Sequence, residues 1–201
     1  IPDSRQTLLF SATLPDSIKK FALSIQKNPK ELIISKVSST AQTVKQSVYM
    51  TNMNDKKDLL QHVFTSTNNE KCIVFVKTKY GADKLVKFLA NSGFKAVAIH
   101  GNKSQNARVK ALGDFKDNSV KILIATDIAA RGIDIEQLPL VINYDIPHVA
   151  ETYVHRIGRT GRAGMSGEAI SFCSDEELKD LKSIQKLIGQ KLHVNEELVF
   201  I

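Results

Sequence analysis

"KILIATDIAARGID", Lys121–Asp134, is a brief apolar run that stops abruptly at a polar, charged stretch. A run this short, without alternation of polar and apolar residues, suits a strand covered on both faces. The polar stretch then starts at the strand's carboxyl end. Similar runs occur at Cys72–Val76, Ala96–Ile99, Leu140–Tyr144 and Glu168–Cys173, each bounded by turn or polar residues. Val44–Met50 reads as an additional edge strand. Between these runs lie amphipathic stretches. Thr78–Asn91 places Leu85, Phe88 and Leu89 on one face, with Gly93 just past its end. Ser104–Lys116 sets Val109, Leu112 and Phe115 at helical spacing. Ser174-Asp-Glu-Glu-Leu opens a further helix with an N-cap and an acidic first turn. Such alternation predicts right-handed crossovers and an α/β fold: a doubly wound, mostly parallel sheet with helices on both faces.

Residues 1–43 stand outside this rhythm. "TLLFSATLPDSIKKFALSIQKNP", Thr7–Pro29, reads as one strand, a turn at Leu14-Pro15 and one helix. One strand and one helix bury no core of their own, so 1–35 is read as the end of a preceding domain. "KVSSTAQT", 36–43, is polar and aperiodic, as a linker should be. The α/β domain is placed at 44–201.

Of the 201 residues 42% are hydrophobic, an ordinary globular composition rather than that of a disordered tail. The net charge of +7 leans toward an acidic partner, nucleic acid first. The two cysteines, Cys72 and Cys173, sit in apolar runs and read as buried thiols of a reducing compartment. The histidines lack metal-ligand spacing. No apolar run approaches the roughly 20 residues of a membrane span, and IPDSRQ is not a signal peptide. A soluble, cytoplasmic protein is the expectation.

In open α/β sheets ligands bind beyond the carboxyl ends of the strands. Lys77 and Thr78, His100 and Gly101, "TDIAARGID", and Asp145 all follow predicted strands there. Neither a G-x-x-x-x-G-K-[ST] loop nor a G-x-G-x-x-G turn is present, so the chain lacks the parts to cradle phosphates alone. Asp175-Glu176 resembles a magnesium-holding pair but is better explained by helix capping. In "TYVHRIGRTGRAG", Thr152–Gly164, Arg156, Arg159 and Arg162 recur every third residue, as do Gly158, Gly161, Gly164 and Gly167. If a helix continues through them, the arginines share a face. A planar guanidinium fork matches phosphoryl oxygens. A solvated basic turn that binds nucleic acid without specificity fits the same spacing.

"SAT" (Ser11–Thr13), "IVFVKTK" (Ile73–Lys79), "HGNKSQNAR" (His100–Arg108), "ATDIAARGIDI" (Ala125–Ile135) and "YVHRIGRTGRAG" (Tyr153–Gly164) occur in that order. Together they resemble the third through sixth motifs of DEAD-box RNA helicases, in wording closer to bacterial than eukaryotic members. The resemblance spans essentially the whole chain. It implies the tail of a first RecA-like domain, a linker and a complete second RecA-like domain, with the phosphate loop and acidic box expected before Ile1. On that resemblance, ATP is sandwiched between the two domains and Mg2+ is held by the first. Arg159 and Arg162 match the arginine fingers at the γ-phosphate, and Asp134 the acceptor for ribose hydroxyls. His155 couples to the acidic box, and Ser11 and Thr13 transmit closure. Arg131 and Arg156 hold contacts between motifs or domains. RNA backbone contacts fall to Thr78, the Gly101 amide, Gln105, Arg108 and Thr126. The implied partners are RNA, bound without sequence preference, and the chain's own N-terminal RecA-like domain. The implied activity is RNA-stimulated ATP hydrolysis with duplex unwinding, absent from this piece alone. A non-catalytic RNA-binding or docking module, and a helicase acting on DNA, are the other readings.

Overall fold

The computed structural model describes residues 2, 4–11, 14, 16–32, 44–67, 70–135, 137–161 and 166–195. Seven strands form one sheet: β1 (Val44–Met50), β2 (Cys72–Phe75), β3 (Ala96–Ile99), β4 (Ile122–Ala125), β5 (Leu140–Asn143), β6 (Gly167–Cys173) and β7 (His193–Val194). Their spatial order is β3-β4-β2-β5-β6-β1-β7, and every neighbouring pair is parallel. The RecA-like, doubly wound expectation holds. Among the described residues, helices α1 (Asp16–Ile25), α2 (Lys56–Ser66), α3 (Lys79–Asn91), α4 (Gln105–Lys116), α5 (Asp127–Ala130), α6 (Ala150–Ile157) and α7 (Leu178–Ile188), with a short 3-10 turn at Asp175–Glu177, make up the rest of the regular structure.

Strands β2, β4 and β5 are buried along their whole length, which is why their sequences do not alternate. Val74, Ile122, Ile142 and Phe172 face Leu60, Phe64, Leu85 and Leu89 of α2 and α3. On the opposite face Ile73, Leu123 and Val141 meet Phe115 of α4 and Ala129 and Ala130 of α5. Val48, Ala169 and Cys173 pack there against Tyr153 and Ile157 of α6 and Ile184 and Ile188 of α7. Alternate residues of each central strand thus feed two separate cores.

Three expectations need correction. Val44–Met50 is not the edge: it pairs with β6 along seven residues, Val44↔Gly167 to Met50↔Cys173, and with β7 on its other side. Its polar content misleads, because the Tyr153 hydroxyl donates to Gln46 Oε1 at 2.8 Å and so makes an interior position tolerable. Residues 7–11 join no ladder among the described residues, and Phe10 is 89% exposed. Helix α2 was not anticipated, although Leu59/Val63 and Leu60/Phe64 give a clear i, i+4 pattern. The linker 36–43 lies outside the described residues.

Side-chain caps open three of the helices, the one at Ser174 where the sequence placed it. Thr78 Oγ1 accepts from the Gly81 amide at 2.9 Å, and Ser104 Oγ from Ala107 at 3.3 Å. Ser174 and Glu177 form a capping box before α7.

Candidate functional site

The helix after β2 leads toward β3, while the helix after β5 leads toward β6 on the other side. The crevice between the carboxyl ends of β2 and β5 is therefore the topological switch point. Asp145 bridges the two strand ends. Its amide donates to the Phe75 carbonyl at 3.3 Å, and its Oδ2 accepts from the Lys77 amide at 2.7 Å.

Helix α6 carries the first arginine into this crevice. Arg156 is 2% exposed and sits 5.0 Å over the Phe75 ring. It donates to both carboxylate oxygens of Asp127 at 2.6 and 2.8 Å, to Asn143 Oδ1 at 3.2 Å and to the Asp145 carbonyl at 2.7 Å. Its charge is already answered inside the domain. The role of contact between motifs fits this geometry.

The helix does not continue. Gly158 caps α6, its amide donating to the Val154 carbonyl at 2.9 Å. Arg159 leaves in the following turn, whose amide donates back to the Arg156 carbonyl at 3.1 Å. Arg156 and Arg159 therefore do not share a helical face. Arg159 Nη1 donates to the Ile133 carbonyl at 3.0 Å, and Nη2 lies 3.5 Å from that of Ala130. Its own carbonyl accepts from Leu138 at 3.0 Å, and the Thr160 hydroxyl donates to the Leu138 carbonyl. A Cβ on Gly167 would sit 2.7 Å from the Gly161 amide nitrogen and collide with the Thr160 side chain, so only glycine lets β6 start beneath this turn. Arg162 and Thr13 lie outside the described residues.

Phe75, Arg131, Thr152, His155, Arg156 and Arg159 line the crevice, with Asp127 behind them. Arg131 is exposed and makes no hydrogen bond or ion pair among the described residues. Burial, and then the cationic Arg131 and Arg159, push the His155 imidazole below its ordinary range, with Glu151 opposing weakly. The crevice is thus cationic with a neutral imidazole, which suits an anion. Asp134 is not part of its lining: its carboxylate is exposed and pairs with Lys116 at 2.9 Å, which lowers its pKa. Ser11 is exposed and also lies away from the lining.

The other residues read from the sequence gather beyond β2, β3 and β4. Lys79 Nζ donates to Asn102 Oδ1 at 2.9 Å, joining the start of α3, next to Thr78, to the turn that holds Gly101. The Asn102 amide donates to His100 Nδ1 at 3.3 Å, so Nε2 carries the proton toward Asp83 Oδ1 at 3.1 Å. Gly101 is exposed, and nothing lies within 4 Å of a Cβ built on it. The Thr126 amide reaches the Ile99 carbonyl at 3.3 Å. Arg108 lies 3.4 Å from both Gln105 Oε1 and the Ala129 carbonyl, which ties α4 to α5. Hydroxyls, amides and one guanidinium thus share an edge, a set suited to phosphate and 2′-hydroxyl groups.

Two structural partners were missed from sequence. Asp127 gave no signal beyond its acidity. Lys56, completely buried, did: a lysine in a helix's first turn opposes the macrodipole and asks for a reason. Among the described residues no cluster of three or more His, Cys, Asp or Glu is placed to hold a metal, and no helix is long and apolar enough to cross a membrane.

Comparison with known proteins agrees with this geometry. Residues 55–164 match the family described as "Helicase conserved C-terminal domain". The chain is 41% identical over 189 residues to the ATP-dependent RNA helicase DbpA of Bacillus subtilis, covering 94% of this chain and 40% of DbpA. It superposes with a TM-score of 0.88 on S. cerevisiae Dbp5 bound to RNA and ADP BeF3, at 35% identity over 97% of this chain and 52% of that one. For the E. coli DEAD-box protein SrmB, solved bound to the regulator of ribonuclease activity A, the TM-score is 0.72 at 33% identity, covering 76% of this chain and 90% of that one. With its cationic crevice at the switch point of a RecA-like sheet, the chain belongs to the helicase conserved C-terminal domain family, in its DEAD-box branch.

Proposed function

We propose that this chain is the second half of an ATP-dependent RNA helicase that remodels RNA duplexes by closure of two RecA-like domains. The observation that carries the reading is the crevice itself. Arg131, His155 and Arg159 line it at the switch point of the sheet, with Arg156 paired to Asp127 beside them. In this reading 1–35 ends the first domain, 36–43 links and 44–201 forms the second. The exposed Phe10, Phe21 and Leu32 support the first assignment, as apolar side chains awaiting a core.

Arg159 and Arg162 act as arginine fingers on the γ-phosphate of ATP, offsetting charge that develops during transfer. Mg2+ is held by the first domain. Asp134 takes the ribose hydroxyls after releasing Lys116. His155, Ser11 and Thr13 couple the two domains. Thr78, Gly101, Gln105, Arg108 and Thr126 hold the RNA backbone without reading bases. The buried thiols Cys72 and Cys173 suit a reducing cytoplasm.

The test is ATP turnover with and without RNA. The 201-residue chain is expected to show none, and the same chain joined to a first RecA-like domain to show RNA-stimulated turnover. There Arg162→Ala should reduce kcat by about 10³-fold or more, with nucleotide affinity largely kept. RNA binding by the joined protein without any turnover would leave a binding module instead. Stimulation by DNA duplexes equal to that by RNA would remove the RNA assignment.

A further inference from the structure

Lys56 has no exposed side-chain surface at all, an unusual state for a lysine. Its amine donates to Glu177 Oε2 at 2.6 Å and to the Tyr144 carbonyl at 2.9 Å, and lies 3.6 Å from Asp145 Oδ1. Glu177 Oε1 accepts from the Ile146 amide at 3.1 Å, while Oε2 also accepts from the Ser174 amide and hydroxyl at 3.0 and 3.1 Å. Residues 144, 145 and 146 are therefore each held, one after another, by the same buried charge network.

That short loop separates the two edges described above. On one side Asp145 Oδ2 fixes the Lys77 amide, immediately before Thr78. On the other, the Asp145 carbonyl accepts from Arg156 Nη1, and Arg156 in turn grips Asp127 at the start of α5. Stability alone does not explain the arrangement, because apolar residues commonly replace buried ion networks without loss. Packing does not require it either, since α2 already anchors through Leu59, Leu60, Val63 and Phe64.

We propose that Lys56 is a positioning residue: it pins the Tyr144–Ile146 loop so that the Thr78 edge and the arginine crevice keep one fixed relation. Without the ammonium, Asp145 and Glu177 face each other uncompensated at low dielectric. Asp145 then turns toward water and releases the Lys77 amide, and its carbonyl leaves Arg156. The inference rests on the reading of the two edges as RNA and phosphate surfaces.

The experiment compares the wild-type chain, Lys56→Met and the double variant Lys56→Met/Glu177→Gln. Each is titrated with oligouridine and, separately, with tripolyphosphate, following backbone amide and arginine Nε–H resonances. Lys56→Met should displace the Lys77 and Arg156 resonances and weaken both ligands by about tenfold, within the range seen for residues that couple sites. The double variant removes one of the two uncompensated carboxylates, so its unfolding midpoint should return toward wild type, while the lost bond to the Tyr144 carbonyl leaves the loop unpinned and binding weak. A purely structural lysine would instead recover binding together with stability, and that result overturns the proposal. So does unchanged affinity in a folded Lys56→Met chain. If Lys56→Met fails to fold, the double variant alone decides by the same criterion. If the wild-type chain binds neither ligand, the functional reading fails; the Lys77 and Arg156 resonances then judge the positioning role, displacement in the double variant supporting it and wild-type values refuting it.

Discussion

Arg156→Met separates the arginine that builds the crevice from the one that faces into it. The replacement keeps an unbranched chain over Phe75 but removes five donors, four of whose bonds are resolved, to Asp127, Asn143 and the Asp145 carbonyl. Deleting one partner of a buried pair costs about 3–5 kcal/mol, because the other charge is left without compensation. Asp127 keeps 30% of its side-chain surface in water, which places the cost at the lower end, about 3 kcal/mol. For a chain of this size each kcal/mol moves the unfolding midpoint by about 2–4 °C, so a fall of about 6–12 °C is expected. Arg159→Met loses a 3.0 Å bond and a marginal 3.5 Å one to backbone carbonyls from a half-exposed side chain, worth about 1 kcal/mol or about 2–4 °C. Thermal unfolding followed by circular dichroism, with urea titration to check that the slope m is unchanged, measures both. Equal losses from the two variants, or an Arg156→Met midpoint within about 3 °C of wild type, would refute the division of labour.

Gly167→Ala forces a methyl group to within 2.7 Å of the Gly161 nitrogen and into Thr160, and overpacking of this kind costs about 3 kcal/mol; a loss below about 1 kcal/mol by urea titration would show that the turn is not held from below. Burial and the neighbouring Arg131 and Arg159 depress the His155 pKa, so the unfolded chain binds the extra proton first, and stability falls as pH drops below about 6.5 toward the folded value. An imidazole titration by NMR should give a midpoint below that of free histidine and an upward shift on adding tripolyphosphate; no shift on addition would mean that no anion enters the crevice. Of the residues assigned to the RNA backbone only Arg108 is cationic, so log K against log salt for oligouridine should have a slope near about −0.7 to −1.5, whereas one steeper than about −4 would hand binding to the surface lysines.

The fold was legible because burial on both faces leaves a mark in sequence. Ile122–Ala125 and Cys72–Phe75 contain no polar residue, and the turn chemistry of Thr78, Ser104 and Ser174 announces the helices that follow. β1 was harder, since its burial depends on a hydroxyl that arrives from Tyr153, more than a hundred residues away. Local pattern carries no information about such a partner. Residues 7–11 failed for the opposite reason. Their apolar run is strand-like, but a strand exists only in a ladder, and the described residues supply none.

Arg131, His155, Arg156 and Arg159 of the crevice were legible as residues and illegible as a geometry. Three arginines at intervals of three imply one face only while the helix lasts, and the glycines that share the interval are what end it. Gly158 caps α6, and Gly161, at φ 64°, lets the turn double back over β6. The spacing that looked like a shared face is thus the spacing of a break. It sends Arg156 inward, where Asp127 cancels its charge, and leaves Arg159 against the backbone of the loop after α5. A cluster that composition presents as one basic patch is divided by its own glycines: Arg156 pairs with Asp127, and Arg159 is held to a backbone carbonyl at the crevice lining. The same division explains Lys56: the loop that receives Arg156 needs a second anchor from the opposite face of the sheet, and a buried ammonium supplies it.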